Sequence, residues 1–81
     1  MPPEAGGRAE VAVGAVQRIA DLGADAERRP RRPVPRLADT ALADQLAVVV
    51  DDVLCTGDPG AVRDLAAELT ALRAALGYPA R

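Results

Sequence analysis

The chain has 81 residues, which is room for one small domain, and its net charge of −2 does not favour non-specific binding of nucleic acid. Its apolar residues are small and aliphatic, with 18 alanines and a single aromatic residue, Tyr78. Histidine, lysine and serine are absent, which excludes a Ser–His–Asp triad and a lysine Schiff base. A single cysteine without histidine cannot form a Cys/His metal cluster within one chain. We therefore expect a non-enzymatic protein with no cofactor or metal.

Composition also indicates a cellular location. Cys55 is the one cysteine, so no internal disulfide can form, and a reducing cytoplasm is the expected compartment. No segment approaches the roughly 18–20 uninterrupted apolar residues of a membrane span, and the N-terminus lacks the basic start and apolar run of a signal peptide. We expect no membrane partner. All ten basic residues are arginines and alanine is abundant, a combination typical of GC-rich bacterial genomes.

The first predicted element is an amphipathic helix from about Arg8 to Leu22. At 100° per residue its apolar side chains cover one continuous arc, while residues such as Glu10 and Arg18 occupy the rest. Gly23 is expected to end the helix. A helix of this length is only marginally stable alone, so it needs another element to pack on.

An extended, solvated linker is predicted for residues 24–36. Pro30, Pro33 and Pro35 disfavour a helix, and neighbouring arginines repel one another. A plain tether is the first interpretation. Docking to a protein or to nucleic acid is the alternative, because the proline spacing suits proline-binding grooves and arginines bind phosphates. The candidate partner-binding residues here are Arg28, Arg29, Arg31 and Arg32.

An antiparallel hairpin of two helices is predicted for residues 37–81. The second helix runs from about Asp39, a candidate N-cap, to Cys55, and the third lies between the N-cap Asp58 and Gly77. Each helix has an apolar stripe, a row of leucines and valines spaced by three and four residues. The partner-binding candidates in these apolar stripes are Leu42, Leu46, Val49, Val53, Val62, Leu65, Leu69, Leu72 and Leu76.

The sequence thus predicts an all-α protein with an N-terminal segment at 1–23, an Arg/Pro linker at 24–36 and a helical hairpin at 37–81. A lone hairpin of this size buries too little apolar surface to be stable. The apolar stripes need cover from the first helix, from a second copy or from a larger partner. We therefore predict an interaction module that self-associates, as a dimer forming a four-helix bundle, or that serves as an accessory subunit. The first helix would be a detachable second contact.

One motif points to a different function. Two acids follow three valines and precede a Thr-Gly pair in residues 48–57. This order resembles the diphosphate-sugar motif of type I phosphoribosyltransferases, in which the acids follow an apolar strand and a loop holds phosphate. The resemblance implies that Asp51 and Asp52 bind ribose and that Thr56 and Gly57 bind the 5′-phosphate. Binding of a nucleotide or of phosphoribosyl diphosphate is therefore an alternative function, beside that of a nucleic-acid accessory protein.

The same residues have a simpler interpretation in a helix. The apolar stripe keeps its helical phase through Val48–Val50, which favours a helix over a strand. Asp44, Asp51 and Asp52 would then share a solvated acidic face. A metal site, docking onto a basic partner and folding back against the Arg-rich linker are weaker possibilities. The Cys55 side chain is expected to be inert and partly buried, and Tyr78 is expected to cover the end of the bundle.

Overall fold

A computed structural model describes residues 4–77 of the chain, and all the regular structure in that range is helical. The helices are α1 (Glu4–Ala26), α2 (Leu42–Thr56) and α3 (Pro59–Ala75), and a 3₁₀ turn (Asp39–Ala41) leads into α2. The predicted all-α class is confirmed. Tyr78 lies outside the described residues. No helix in the described range is long and apolar enough to cross a bilayer.

The predicted end of α1 at Gly23 is wrong. The helix continues to Ala26, and the Glu27 N–H still donates to the Gly23 carbonyl at 3.2 Å. Arg28 adopts a left-handed conformation, with φ 56°, just after the helix ends. Gly23 is instead a packing residue, since it is buried and a Cβ placed there would lie 3.6 Å from Cγ2 of Val53 on α2.

The predicted N-cap of α2 is also wrong. Asp39 begins the 3₁₀ turn, and its carboxylate accepts a hydrogen bond from Arg36 Nη2 at 2.6 Å. The α-helix itself begins at Leu42 without a side-chain cap. The other end of α2 lies where the sequence predicts it, since Gly57 is left-handed at φ 68° directly after Thr56.

Local signals define both ends of α3. The Asp58 carboxylate accepts from the Ala61 N–H at 2.8 Å, and Pro59 occupies the first turn. At the other end Gly77 is left-handed, with φ 90°. These boundaries confirm the prediction, because an N-cap acid, a first-turn proline and a terminal glycine each act through backbone chemistry within one turn.

The core is built around α1. This helix contacts α2 and α3 more extensively than they contact each other. Ile19 of α1 and Val53 of α2 are fully buried, and Leu65 of α3 is 3% exposed. An ion pair between Arg18 Nε and Glu68 Oε1, at 2.7 Å, also joins α1 to α3. The apolar stripes of α2 and α3 are thus covered inside the chain, and α1 is a central element of the fold.

The position of Gly23 beside Val53 leads to a prediction about the stability of the fold. Replacing Gly23 with alanine adds a Cβ at an ordinary van der Waals distance from Val53 and removes the entropic penalty of glycine in a helix. We expect Gly23→Ala to raise the free energy of unfolding by about 0.5–1 kcal/mol, measured by urea denaturation followed by circular dichroism.

The matched comparison is Gly57→Ala. Nothing lies near a Cβ at this position, but the left-handed backbone strains an alanine, so stability should fall by about 1 kcal/mol. If Gly23→Ala were instead the more destabilising of the two, the room for a Cβ between α1 and Val53 would be contradicted.

Candidate interaction surface

An open apolar groove lies between the linker and the outward face of α2. Leu37 and Val48 on its rim are 49% and 59% exposed, which is high for large aliphatic side chains. Val49, which is nearly buried, contributes to the base. We call this the α2 groove, and its lining residues are Val34, Leu37, Ala41, Asp44, Gln45, Val48 and Val49.

Side-chain amides hold the linker wall of the α2 groove in place. Gln17 of α1 accepts from the Val34 N–H at 2.8 Å and donates to the Arg32 carbonyl at 3.0 Å. On the other side Gln45 of α2 donates to the Pro35 carbonyl at 3.0 Å. Residues 29–38 have no regular secondary structure, yet these hydrogen bonds fix their path across α1 and α2. The groove is therefore formed before any partner arrives.

Carboxylates surround Val48 on the helix surface. Asp44 lies four residues before it, and Asp51 and Asp52 lie three and four residues after it, so all are its neighbours on α2. All three are exposed, and α2 contains no basic residue. Within residues 4–77, Asp44 and Asp52 form no ion pair, and Asp51 Oδ2 accepts a long contact of 3.9 Å from Cys55 Sγ. This face of α2 is therefore strongly negative.

The linker arginines are exposed, but several of them pair with nearby acids. Arg31 binds both carboxylate oxygens of Asp25, at 3.0 and 2.7 Å, and Arg29 binds Glu27 at 2.8 Å. The hydrogen bonds and charge of Arg31 hold the pKa of Asp25 below its usual range. Arg28 and Arg32 are exposed without an ion pair inside the described range. The positive charge of the linker is thus partly neutralised by the chain itself.

The apolar stripes are not an open surface. Their most buried members, Val49, Val53, Leu65 and Leu72, are at most 9% exposed. Leu46 and Leu69 pack against that core, and the remaining candidates, Leu42, Val62 and Leu76, are half-buried. These side chains are therefore occupied largely with one another and with α1.

The motif at residues 48–57 does not form the strand that its resemblance implies. Val48–Val50 lie inside α2, as the helical phase of the apolar stripe predicts. The Thr56 hydroxyl donates to the Val53 carbonyl at 2.7 Å and accepts from the Asp58 N–H at 3.1 Å. This hydroxyl therefore stabilises the turn between α2 and α3. In the described part of the chain no three acidic or cysteine side chains are grouped to hold a metal ion.

Sequence reasoning did not select the exposed apolar residues Leu37, Val48 and Leu54. The exposure of Val48 could have been predicted, because the helical spacing places this valine on the same face of α2 as three aspartates. Leu37 follows the linker, and its position depends on hydrogen bonds that periodicity does not reveal.

Comparison with protein-family models, curated proteins and solved structures finds no significant match to this chain.

The Gln17 contacts generate a prediction about the linker. Gln17→Ala removes both hydrogen bonds to the linker backbone, and we expect a loss of about 1–2 kcal/mol in the free energy of unfolding. The Val34 amide should also exchange its hydrogen faster, as observed by NMR. Glu10→Ala, an exposed change on the same helix, is the control. Unchanged Val34 exchange in Gln17→Ala would show that the linker does not depend on this side chain.

The pair of Asp25 and Arg31 generates a prediction about pH. The pKa of Asp25 is lowered in the folded chain, so its stabilising effect is present above the unfolded pKa, near 4, and is lost as pH falls through the lower folded value. At pH 7 Asp25→Asn should therefore lower the melting temperature slightly. The difference from wild type should shrink as the pH falls below the unfolded pKa and vanish once the folded carboxyl is also protonated. Asp64→Asn, which removes an exposed carboxylate from α3, controls for net charge. A difference that persists at low pH would contradict the role of the ion pair.

Proposed function

We propose that this protein is a small non-enzymatic protein–protein interaction module whose contact surface is the α2 groove. The supporting observation is the exposure of Leu37 and Val48 in the lining of a groove whose linker segment is held in place by hydrogen bonds. A small monomer rarely leaves adjacent large aliphatic side chains exposed unless another molecule covers them. A second copy or a larger partner subunit could provide that cover.

The cytoplasm is the proposed location of this module. Cys55 is free and exposed on α2, so the expected partial burial of this side chain is wrong. A free surface thiol persists in a reducing compartment, whereas an oxidising one would convert it to a mixed or intermolecular disulfide. This proposal requires no catalytic residue and no cofactor.

The two alternative functions have weaker support. An accessory role on nucleic acid would need the linker arginines, and Arg29, Arg31 and Arg36 already pair with carboxylates. Binding of phosphoribosyl diphosphate would need a strand before the two acids and a free loop after them. In this chain those acids lie on a helix, and the loop hydroxyl of Thr56 stabilises a turn.

Site-specific photo-crosslinking tests the proposed function. A photoreactive amino acid at position 48 of the full chain, expressed in its host cells, should yield a defined adduct upon irradiation. Position 54 is the control, because Leu54 lies on the same helix at similar exposure, 52% against 59%, but outside the α2 groove. The adduct mass separates a second copy from another protein. No adduct at position 48, or equal adducts at both positions, would contradict the proposal.

A further inference from the structure

We propose that the occupant of the α2 groove is a basic amphipathic segment of another protein. Its apolar side chains would lie in the groove, and its lysines or arginines would face the carboxylates around Val48. This inference rests on the proposed function and specifies the chemistry of the partner.

The apolar part of the partner follows from the shape of the groove. Leu37 and Val48 both line the groove, and the small side chain of Ala41 lines it with them. One or two leucine-sized side chains from a partner would cover Leu37 and Val48. The linker is already held by Gln17 and Gln45, so binding needs little ordering of the chain.

The basic part follows from charge complementarity. Asp44 lines the groove, and Asp51 and Asp52 extend the negative surface beyond Val48 towards the end of α2. A cation beside each carboxylate would gain from an attraction that nothing in the described range supplies to Asp44 or Asp52. Opposite charges would also speed association, most strongly at low salt.

The same charges disfavour a second copy. A twofold contact centred on Val48 would place α2 against α2, with Asp44 of one copy near Asp52 of the other. Like charges facing each other across an interface oppose binding. The nearest arginine in sequence, Arg36, already pairs with Asp39. A different protein that brings its own cations avoids this repulsion.

The length of α2 sets the size of the partner segment. Its 15 residues span about 22 Å. A partner helix of about 14 residues would match this length and could present apolar side chains on one face with basic ones beside them.

The test uses a fluorescent peptide of about 14 residues with leucines on one helical face and lysines on the other. The control peptide has the same sequence with glutamate in place of each lysine. The full chain should bind the lysine peptide, with affinity that falls as salt rises, and should bind the glutamate peptide at least about 10-fold more weakly. Val48→Asp should weaken binding of the lysine peptide at least about 10-fold, and the control Leu54→Asp less than about 3-fold. Replacing Asp44, Asp51 and Asp52 together with asparagine should reduce the salt dependence, whereas Asp64→Asn should not.

Circular dichroism shows whether each variant keeps its helices. Val48→Ala replaces Val48→Asp if the charged variant unfolds, with weaker binding again expected. Equal affinity for both peptides, or binding unaffected at position 48, overturns the inference. A dimer seen by light scattering and lost in Val48→Asp also overturns it, yet leaves the interaction module standing. A monomer that binds neither peptide and forms no adduct at position 48 refutes both.

Discussion

The packing of α1 against both α2 and α3 is the interaction on which the rest of this structure depends. Neither α2 nor α3 can bury its apolar stripe on the other alone, and Ile19 fills the space where the three helices meet. Small buried alanines on α1, Ala15 and Ala24, let the neighbouring helices approach closely, so a chain without large aromatic side chains can still exclude water. Cover that could have come from a partner comes from the chain's own first helix. The apolar side chains that remain exposed are therefore surplus to the core.

How well each helix end could be predicted depends on whether residues within one turn determine it or whether contacts outside that turn also matter. The ends of α3 follow from Asp58 and Gly77, each of which acts within one turn of the backbone. Near the end of α1, Gly23 lies inside the helix and faces Val53, 30 positions away in the sequence, so a glycine that looks like a stop is a packing site. At the start of α2, the Asp39 carboxylate pairs with Arg36 and does not cap the helix. The preference of glycine for helix ends and of aspartate for N-caps does not reveal either contact.

The candidate interaction surface likewise has one part that the sequence predicts and one part that it does not. The acidic face of α2 could be predicted, because the spacing of Asp44, Asp51 and Asp52 places them together on the helix face opposite the apolar stripe. The groove beside it could not. Its linker wall is held by two amide side chains, Gln17 and Gln45, which bond the backbone of residues 32, 34 and 35. Sequence patterns indicate which side of a helix is polar, but they do not show where an irregular segment crosses it.

The arrangement of charge supports a cationic partner more strongly than the net charge does. The linker arginines pair with acids two, three and six residues away along the chain, which keeps their positive charge close to the linker. No arginine in the described range reaches Asp44 or Asp52, so the negative charge of α2 stays uncompensated around an exposed valine. If that face served only as a solvated surface, an apolar residue at its centre would gain nothing from exposure. A partner that covers Val48 and neutralises its neighbours accounts for both features with one contact.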